Sequence, residues 1–185
     1  MLKNPTDHIQ PSGCVLWITG LSGSGKTTLA IEVVRQLREN RSDVVSLDGD
    51  RLREMFAIET PNLQSYDRNG RLKLAMQYAF LCKILSMQGF TVVIATISMF
   101  REVYAWNRTH LPDYFEVYLK APIEELRRRD SKGIYSRYDA GQLQNVAGLD
   151  LHIDEPEKPD FEVVIKSTRS VTLLASELIQ KYKVR

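Results

Sequence analysis

A glycine-rich octapeptide constrains this chain more than any other stretch. Gly20-Leu21-Ser22-Gly23-Ser24-Gly25-Lys26-Thr27 satisfies G-x-x-x-x-G-K-[ST] at every fixed position. It follows the short apolar run Val15–Thr19. It precedes a stretch, Thr27–Asn40, in which Leu29, Val33, Val34 and Leu37 recur at helical spacing. Strand, glycine loop and helix in that order make an anion cradle. The glycines let the backbone curl until successive N–H groups point inward, and the helix adds its positive end. In this reading Gly20, Ser22, Gly23, Ser24, Gly25, Lys26, Thr27 and Thr28 bind a nucleoside triphosphate, ATP or GTP. Lys26 reaches the β- and γ-phosphates, and the Thr27 hydroxyl helps hold Mg²⁺.

The rest of the chain alternates in kind. Val44–Leu47, Phe90–Thr96, Phe115–Leu119 and Phe161–Ile165 read as buried strands. Helical patterns run over Asp67–Gln88 with Gly89 as the stop, over Arg101–His110, from Pro122 in a first turn through Arg129, and over Val171–Lys181. Residues 1–13 read as a polar arm. Residues 130–160 hold few periodic apolar positions, and a gap of that length inside a compact domain predicts a lid, a binding loop or disorder, with a lid expected over 130–155. Strands alternating with helices predict one α/β domain over all 185 residues, a five-stranded parallel sheet with helices on both faces.

Composition removes several alternatives. Net charge is +2 with both signs dispersed, which argues against a dedicated nucleic-acid surface. No apolar run approaches the ~20 residues of a membrane span, and no signal-peptide pattern opens the chain, so a cytoplasmic protein is expected. Cys14 and Cys82 match no metal or redox spacing and read as buried hydrophobes. His8, His110 and His152 show no metal spacing, and Trp17, Tyr104 and Trp106 read as packing residues.

Asp48-Gly49-Asp50 closes the second strand. Ligands of parallel sheets collect at the carboxyl ends of the strands, so these acids stand near the transferred phosphate. One carboxylate can orient or deprotonate an acceptor hydroxyl while the other supports a magnesium ion. The bland reading is an Asx turn that starts a helix. Cations at Arg53, Arg68, Arg71, Lys73, Arg101, Lys132 and Arg137 suit an anionic acceptor, because Arg grips phosphate-like oxygens in a bidentate fork. Solvated surface is the bland reading for each.

Taken together, these pieces resemble an adenylylsulfate (APS) kinase. The resemblance runs from about Val15 to Phe161 and rests on seven short matches in order. "GLSGSGKTT" is similar to that family's phosphate loop and "DGDRLR" to its D-G-D-x-x-R. "SYDR" (Ser65–Arg68) resembles F-S-x-x-D-R, and "ISMFR" (Ile97–Arg101) resembles I-S-P-Y-R. "RDSKGIY" (Arg129–Tyr135) resembles R-D-P-K-G-L-Y, "NVAGLD" (Asn145–Asp150) resembles N-F-T-G-I-D, and "EPEKPD" resembles an acidic, proline-bearing tail. The fold implied is of the P-loop nucleoside triphosphate hydrolase type. The activity implied is transfer of the ATP γ-phosphate to the ribose 3′-hydroxyl of adenylyl sulfate, with Mg²⁺, in a homodimer. By position, Asp48, Lys26 and Lys132 are catalytic, Asp50 and Thr27 face the metal, and Arg129 lies by the ATP base. Asp50, Arg53, Arg68, Arg71, Ile97, Ser98, Phe100, Arg101, Lys132, Gly133 and Val146 contact the acceptor.

The departures cluster on the acceptor side. The family run D-R-x-x-N-I-R-R is "DRNGRLKL" here, which puts Arg71 in place of Asn and Lys73 in place of Arg. Val146 replaces a stacking aromatic, Met99 replaces the proline of I-S-P-Y-R, and Leu63 or Gln64 replaces a further aromatic. The same transfer to another nucleotide, such as a cytidine diphosphate phosphoramidate, therefore stands as the alternative. A non-catalytic nucleotide-binding module is a third reading.

Overall fold

The computed structural model describes residues 13–57, 67–165 and 169–184. The arm expected over 1–13 lies outside them apart from Gly13, as do Leu63, Gln64 and Ser65. Five strands carry the fold: β1 (Val15–Thr19), β2 (Val44–Asp48), β3 (Thr91–Ala95), β4 (Tyr114–Lys120) and β5 (Phe161–Val164). They form one parallel sheet in the order β2-β3-β1-β4-β5. Seven helices accompany them among the described residues: α1 (Lys26–Arg38), α2 (Gly49–Ala57), α3 (Arg68–Ser86), α4 (Arg101–His110), α5 (Ile123–Arg129), α6 (Ile134–Asp139) and α7 (Val171–Lys183).

The β1 side chains alternate between two cores. Leu16 and Ile18 pack with Leu29 and Val33 of α1 and with Leu174 and Leu178 of α7. Val15 and Trp17 pack with Leu74, Tyr78 and Cys82 of α3 and with Val103 of α4. A strand covered on both faces reads as an unbroken apolar run, which is why "VLWIT" lacks polar alternation. Trp17, Cys14 and Cys82 are buried as expected, and both cysteines are free.

Local chemistry sets the boundaries. Asp67 caps α3 by accepting from the Gly70 N–H at 2.8 Å. Gly89, at φ 89°, takes the left-handed turn that follows α3. Pro122 is the N-cap of α5 rather than part of its first turn. The span 130–160, expected to lack regular structure, contains α6. Six residues are too few to display a helical period, and the helix is held instead by Asp130, which accepts from Tyr135 N–H (3.0 Å) and Ser136 N–H (2.9 Å).

Candidate active site

β1 is the central strand, with β3 and β4 on its two sides. The connections on either side of it leave a crevice at its carboxyl end, and the glycine loop lies there. Gly20, Gly23 and Gly25 all have positive φ, and Gly25 is the left-handed N-cap of α1. At Gly20 (φ 146°) a β-carbon would lie 2.5 Å from the Leu119 carbonyl oxygen, so only glycine fits. The N-terminus of α1 has no side-chain cap and no acidic residue in its first turn. Its N–H groups and dipole are therefore presented to an anion.

Lys26 is half-buried, and its ammonium donates to the Leu21 carbonyl at 2.7 Å. Burial, then the nearby Lys132 charge, pushes the Lys26 pKa down to about 8, with Asp50 and Asp48 opposing. The Thr27 hydroxyl donates to Asp48 Oδ2 at 2.9 Å. The other Asp48 oxygen accepts from the N–H groups of Asp50 (3.0 Å) and Arg51 (3.4 Å). Asp48 therefore caps α2 with one oxygen and faces the phosphate loop with the other. The Asx-turn reading and the chemical reading describe the same side chain. Tyr78 of α3 fixes this turn from below, its hydroxyl donating to the Gly49 carbonyl at 2.9 Å. Gly49 has no room for a side chain, since a β-carbon would lie 2.9 Å from Thr96 Oγ1.

These groups line one cavity of about 490 Å³. From the phosphate loop, Ser22, Gly23, Gly25, Lys26, Thr27 and Thr28 face it. Asp48, Asp50, Arg53 and Arg71 bound it on one side, and Ile97, Ser98 and Phe100 bound it at the end of β3. Arg129 and Lys132 bound it from the α5–α6 segment, where Lys132 contacts Asp50 and Arg129 donates to Glu125 at 2.8 Å. Ser98 holds φ 27°, rare for a residue with a β-carbon, and its hydroxyl pairs with Thr96 Oγ1 at 2.7 Å.

The remaining predicted site residues stand off the cavity wall. Gly20 and Ser24 lie behind the loop surface, with Ser24 buried. Arg68 pairs with Glu102 (2.9 Å) and Asp154 (3.5 Å), and its guanidinium sits 5.4 Å from the centroid of the Phe100 ring. The Arg101 side chain is exposed, while its N–H donates to Asp154 at 3.1 Å. Gly133 is the N-cap of α6. Val146 is buried but turned from the cavity; Ala147 and Leu151 supply the wall instead. Arg71 is on the wall and also donates to the Asn145 carbonyl at 2.8 Å.

Sequence reasoning passed over Leu74, Tyr78, Ala147, Leu151 and Ile153 as cavity residues. A usable signal existed for two of them. Leu74 and Tyr78 follow Arg71 by three and seven residues, hence on the same face of α3.

Among the described residues no group of three or more His, Cys, Asp or Glu is placed to hold a metal by itself. Thr27 Oγ1, Asp48 and Asp50 are hard oxygen donors beside the phosphate cradle. That set fits Mg²⁺ held by one or two protein oxygens plus phosphate. No helix among the described residues is long and apolar enough to cross a membrane.

Comparison with known proteins follows the same line. The profile of the family described as Adenylylsulphate kinase matches residues 12–164. A cytidine diphosphoramidate kinase from Campylobacter jejuni is 40% identical over 143 residues, covering 77% of this chain and 81% of the relative. A probable adenylyl-sulfate kinase from Pyrococcus abyssi is 33% identical over 167 residues, covering 90% and 92%. The structure of a Mycobacterium tuberculosis APS kinase in complex with AMPPNP and APS superposes with a TM-score of 0.83 at 30% identity, covering 94% of this chain and 99% of that one. The chain belongs to the adenylylsulphate kinase family, P-loop phosphotransferases with an alcohol group as acceptor.

Proposed function

We propose that this protein transfers the γ-phosphate of ATP to the ribose 3′-hydroxyl of adenylyl sulfate, giving 3′-phosphoadenylyl sulfate and ADP, in cytoplasmic sulfate assimilation. The observation that carries the reading is the 2.9 Å contact between Thr27 and Asp48. It puts a carboxylate at the tip of β2 against the hydroxyl that follows the phosphate-binding lysine. Phosphoryl transfer asks mainly for positioning and charge neutralisation, and this cavity has parts for both. The amides of the glycine loop and the α1 N-terminus hold the β- and γ-phosphates, and Lys26 neutralises them. Asp48 orients the attacking hydroxyl and accepts its proton as the O–P bond forms. Lys132 meets charge on the transferring group, and Arg129 flanks the ATP base. Arg53, Arg71, Ser98 and Phe100 seat the acceptor. Thr27 and Asp50 would hold Mg²⁺, which would supply neutralisation of the phosphate oxygens. The 130–155 segment acts as a lid, anchored where Tyr135 donates to the Ser22 carbonyl at 2.9 Å.

The homodimer implied by the resemblance has a candidate face. Phe80, Ile84 and Met87 of α3 are 50%, 58% and 60% exposed. The Phe80 ring stands 4.8 Å from that of Trp106 on α4. An apolar patch of this kind suits a twofold contact.

A second reading has its own support. The part of the acceptor wall built by the 145–151 segment is aliphatic, through Ala147 and Leu151, where a stacking aromatic would add about 1–3 kcal/mol for a base. A relative 40% identical is a cytidine diphosphoramidate kinase. A cytidine diphosphate phosphoramidate is the acceptor in that reading. Turnover with ATP and Mg²⁺ is measured on both acceptors by ADP release and mass of the product. A kcat/KM for adenylyl sulfate tenfold or more above the cytidine acceptor supports the first reading. The reverse ratio establishes the second. Triphosphate binding without turnover of either leaves a nucleotide-binding module and ends both.

A further inference from the structure

The loop over residues 145–151 is internally tied. The Asp150 carboxylate accepts from the N–H groups of Asn145 (2.8 Å) and Val146 (2.6 Å). Leu149 N–H (3.0 Å) and Leu151 N–H (3.2 Å) both return to the Val146 carbonyl, and Gly148 N–H donates to the Leu151 carbonyl at 3.1 Å. A loop closed on itself in this way shifts as a unit. Its contacts with the body of the protein therefore set where its cavity-facing residues, Ala147 and Leu151, stand.

Two of those contacts are specific. Arg71 reaches the Asn145 carbonyl from α3. The other comes from the phosphate loop. A β-carbon on Gly148 would lie 2.8 Å from Leu21 Cδ1 and 2.9 Å from Cδ2, so the leucine branch is seated directly on the glycine backbone. Leu21 also packs against the Met99, Tyr104 and Tyr118 cluster and is not on the cavity wall. Its own carbonyl accepts from the Lys26 ammonium at 2.7 Å and from the Ser24 N–H at 3.2 Å. One residue thus touches the phosphate-reaching lysine through its backbone and the acceptor-side loop through its side chain.

The geometry points to Leu21 as a positioning residue: its side chain, seated on Gly148, transmits the placement of the phosphate loop to the wall that holds the acceptor. This rests on the reading that the 145–151 loop faces the acceptor. The physical demand behind it is strict. In-line transfer needs the attacking oxygen roughly 3–3.5 Å from phosphorus, and a displacement of about 1 Å can cost a hundredfold in rate. Two substrates bound on separate loops need a contact that fixes one loop relative to the other, and Leu21–Gly148 is such a contact.

The test combines kinetics with hydrogen exchange. In Leu21→Ala, kcat falls and the KM for adenylyl sulfate rises roughly tenfold while the KM for ATP stays within about twofold, and Leu21→Met restores both kcat and the acceptor KM. Gly148→Ala carries backbone strain in either background, so a double-mutant cycle removes it. Gly148→Ala then harms acceptor KM less in the Leu21→Ala background than in the wild type. Amide exchange at 145–151 needs no acceptor: AMPPNP slows it in the wild type and leaves it unchanged in Leu21→Ala. Leu21→Val carries the same comparisons if the alanine variant does not fold. An equal rise in both KM values, an additive cycle, or AMPPNP protection of 145–151 that survives removal of the leucine overturns the inference. A wild type inactive on adenylyl sulfate sinks the acceptor assignment instead, and the exchange experiment still decides the role of Leu21.

Discussion

Replacing Asp48 by Asn separates its two roles. One Asp48 oxygen caps α2 through Asp50 and Arg51, and the other accepts from Thr27. Asn is as good an N-cap as Asp, so the helix start is retained. With its oxygen on the cap, Asn turns its NH2 to Thr27, so that contact reverses direction and loses its charge assistance, at a cost of about 0.5–1.5 kcal/mol. Set against a typical folding stability of about 5–15 kcal/mol, that leaves the chain folded. The amide has no basic oxygen for the acceptor proton. Loss of a positioned base lowers turnover about 10²–10⁴-fold, equivalent to about 2.7–5.5 kcal/mol of barrier. The catalytic loss therefore exceeds the stability loss. ADP release under saturating ATP and acceptor, read beside a thermal melt, measures both. Turnover within tenfold of wild type, with a melt unchanged, would refute the role of Asp48.

Three further outcomes follow from particular contacts. Because Lys26 is held to about 8, ATP affinity falls as pH rises through that value, and binding near it takes up a proton, measurable by calorimetry in buffers of different ionisation enthalpy. Stability moves the other way: between about 8 and the usual 10.5 the folded chain binds fewer protons than the unfolded one. Stability therefore rises with pH there, and Lys26→Met abolishes that slope in denaturant titrations. Tyr78→Phe removes the donor to the Gly49 carbonyl, lowering stability by about 0.5–1.5 kcal/mol and reducing kcat more than ATP affinity, as steady-state kinetics and melts will report. Gly20→Ala forces a β-carbon to 2.5 Å from the Leu119 carbonyl at φ 146°; the conformational strain alone is about 1–3 kcal/mol, and equilibrium dialysis should find ATP binding lost.

The parts of the fold that depend on short-range chemistry were legible in the sequence. β1 and the glycine loop are adjacent, and each confirms the other's type. α4 has its expected bounds, Arg101–His110, because its apolar period is clear and a strand follows closely. α6 was not legible, since its hold on the body runs through Tyr135, buried and bonded to Ser22 across 113 positions of sequence. The acceptor side shows the same limit. Spacing locates the segment 145–151 but does not say which residue turns inward, and the Asp150 turn rotates Val146 away and brings Ala147 and Leu151 to the cavity. Arg68 and Arg101 carry the right chemistry in the right segment. The Arg68 guanidinium is aimed by Glu102 and Asp154, both distant in sequence, whereas Asp154 takes only the backbone N–H of Arg101, whose side chain is exposed.

A crystal structure of the wild-type protein with Mg²⁺, AMPPNP and adenylyl sulfate tests the central claim most directly. The account predicts the γ-phosphate on the amides of residues 22–28 and on Lys26, with the acceptor 3′-oxygen about 2.6–3.2 Å from an Asp48 carboxylate oxygen. A triphosphate bound away from the glycine loop, or an acceptor hydroxyl beyond water-bridged reach of Asp48, would contradict it.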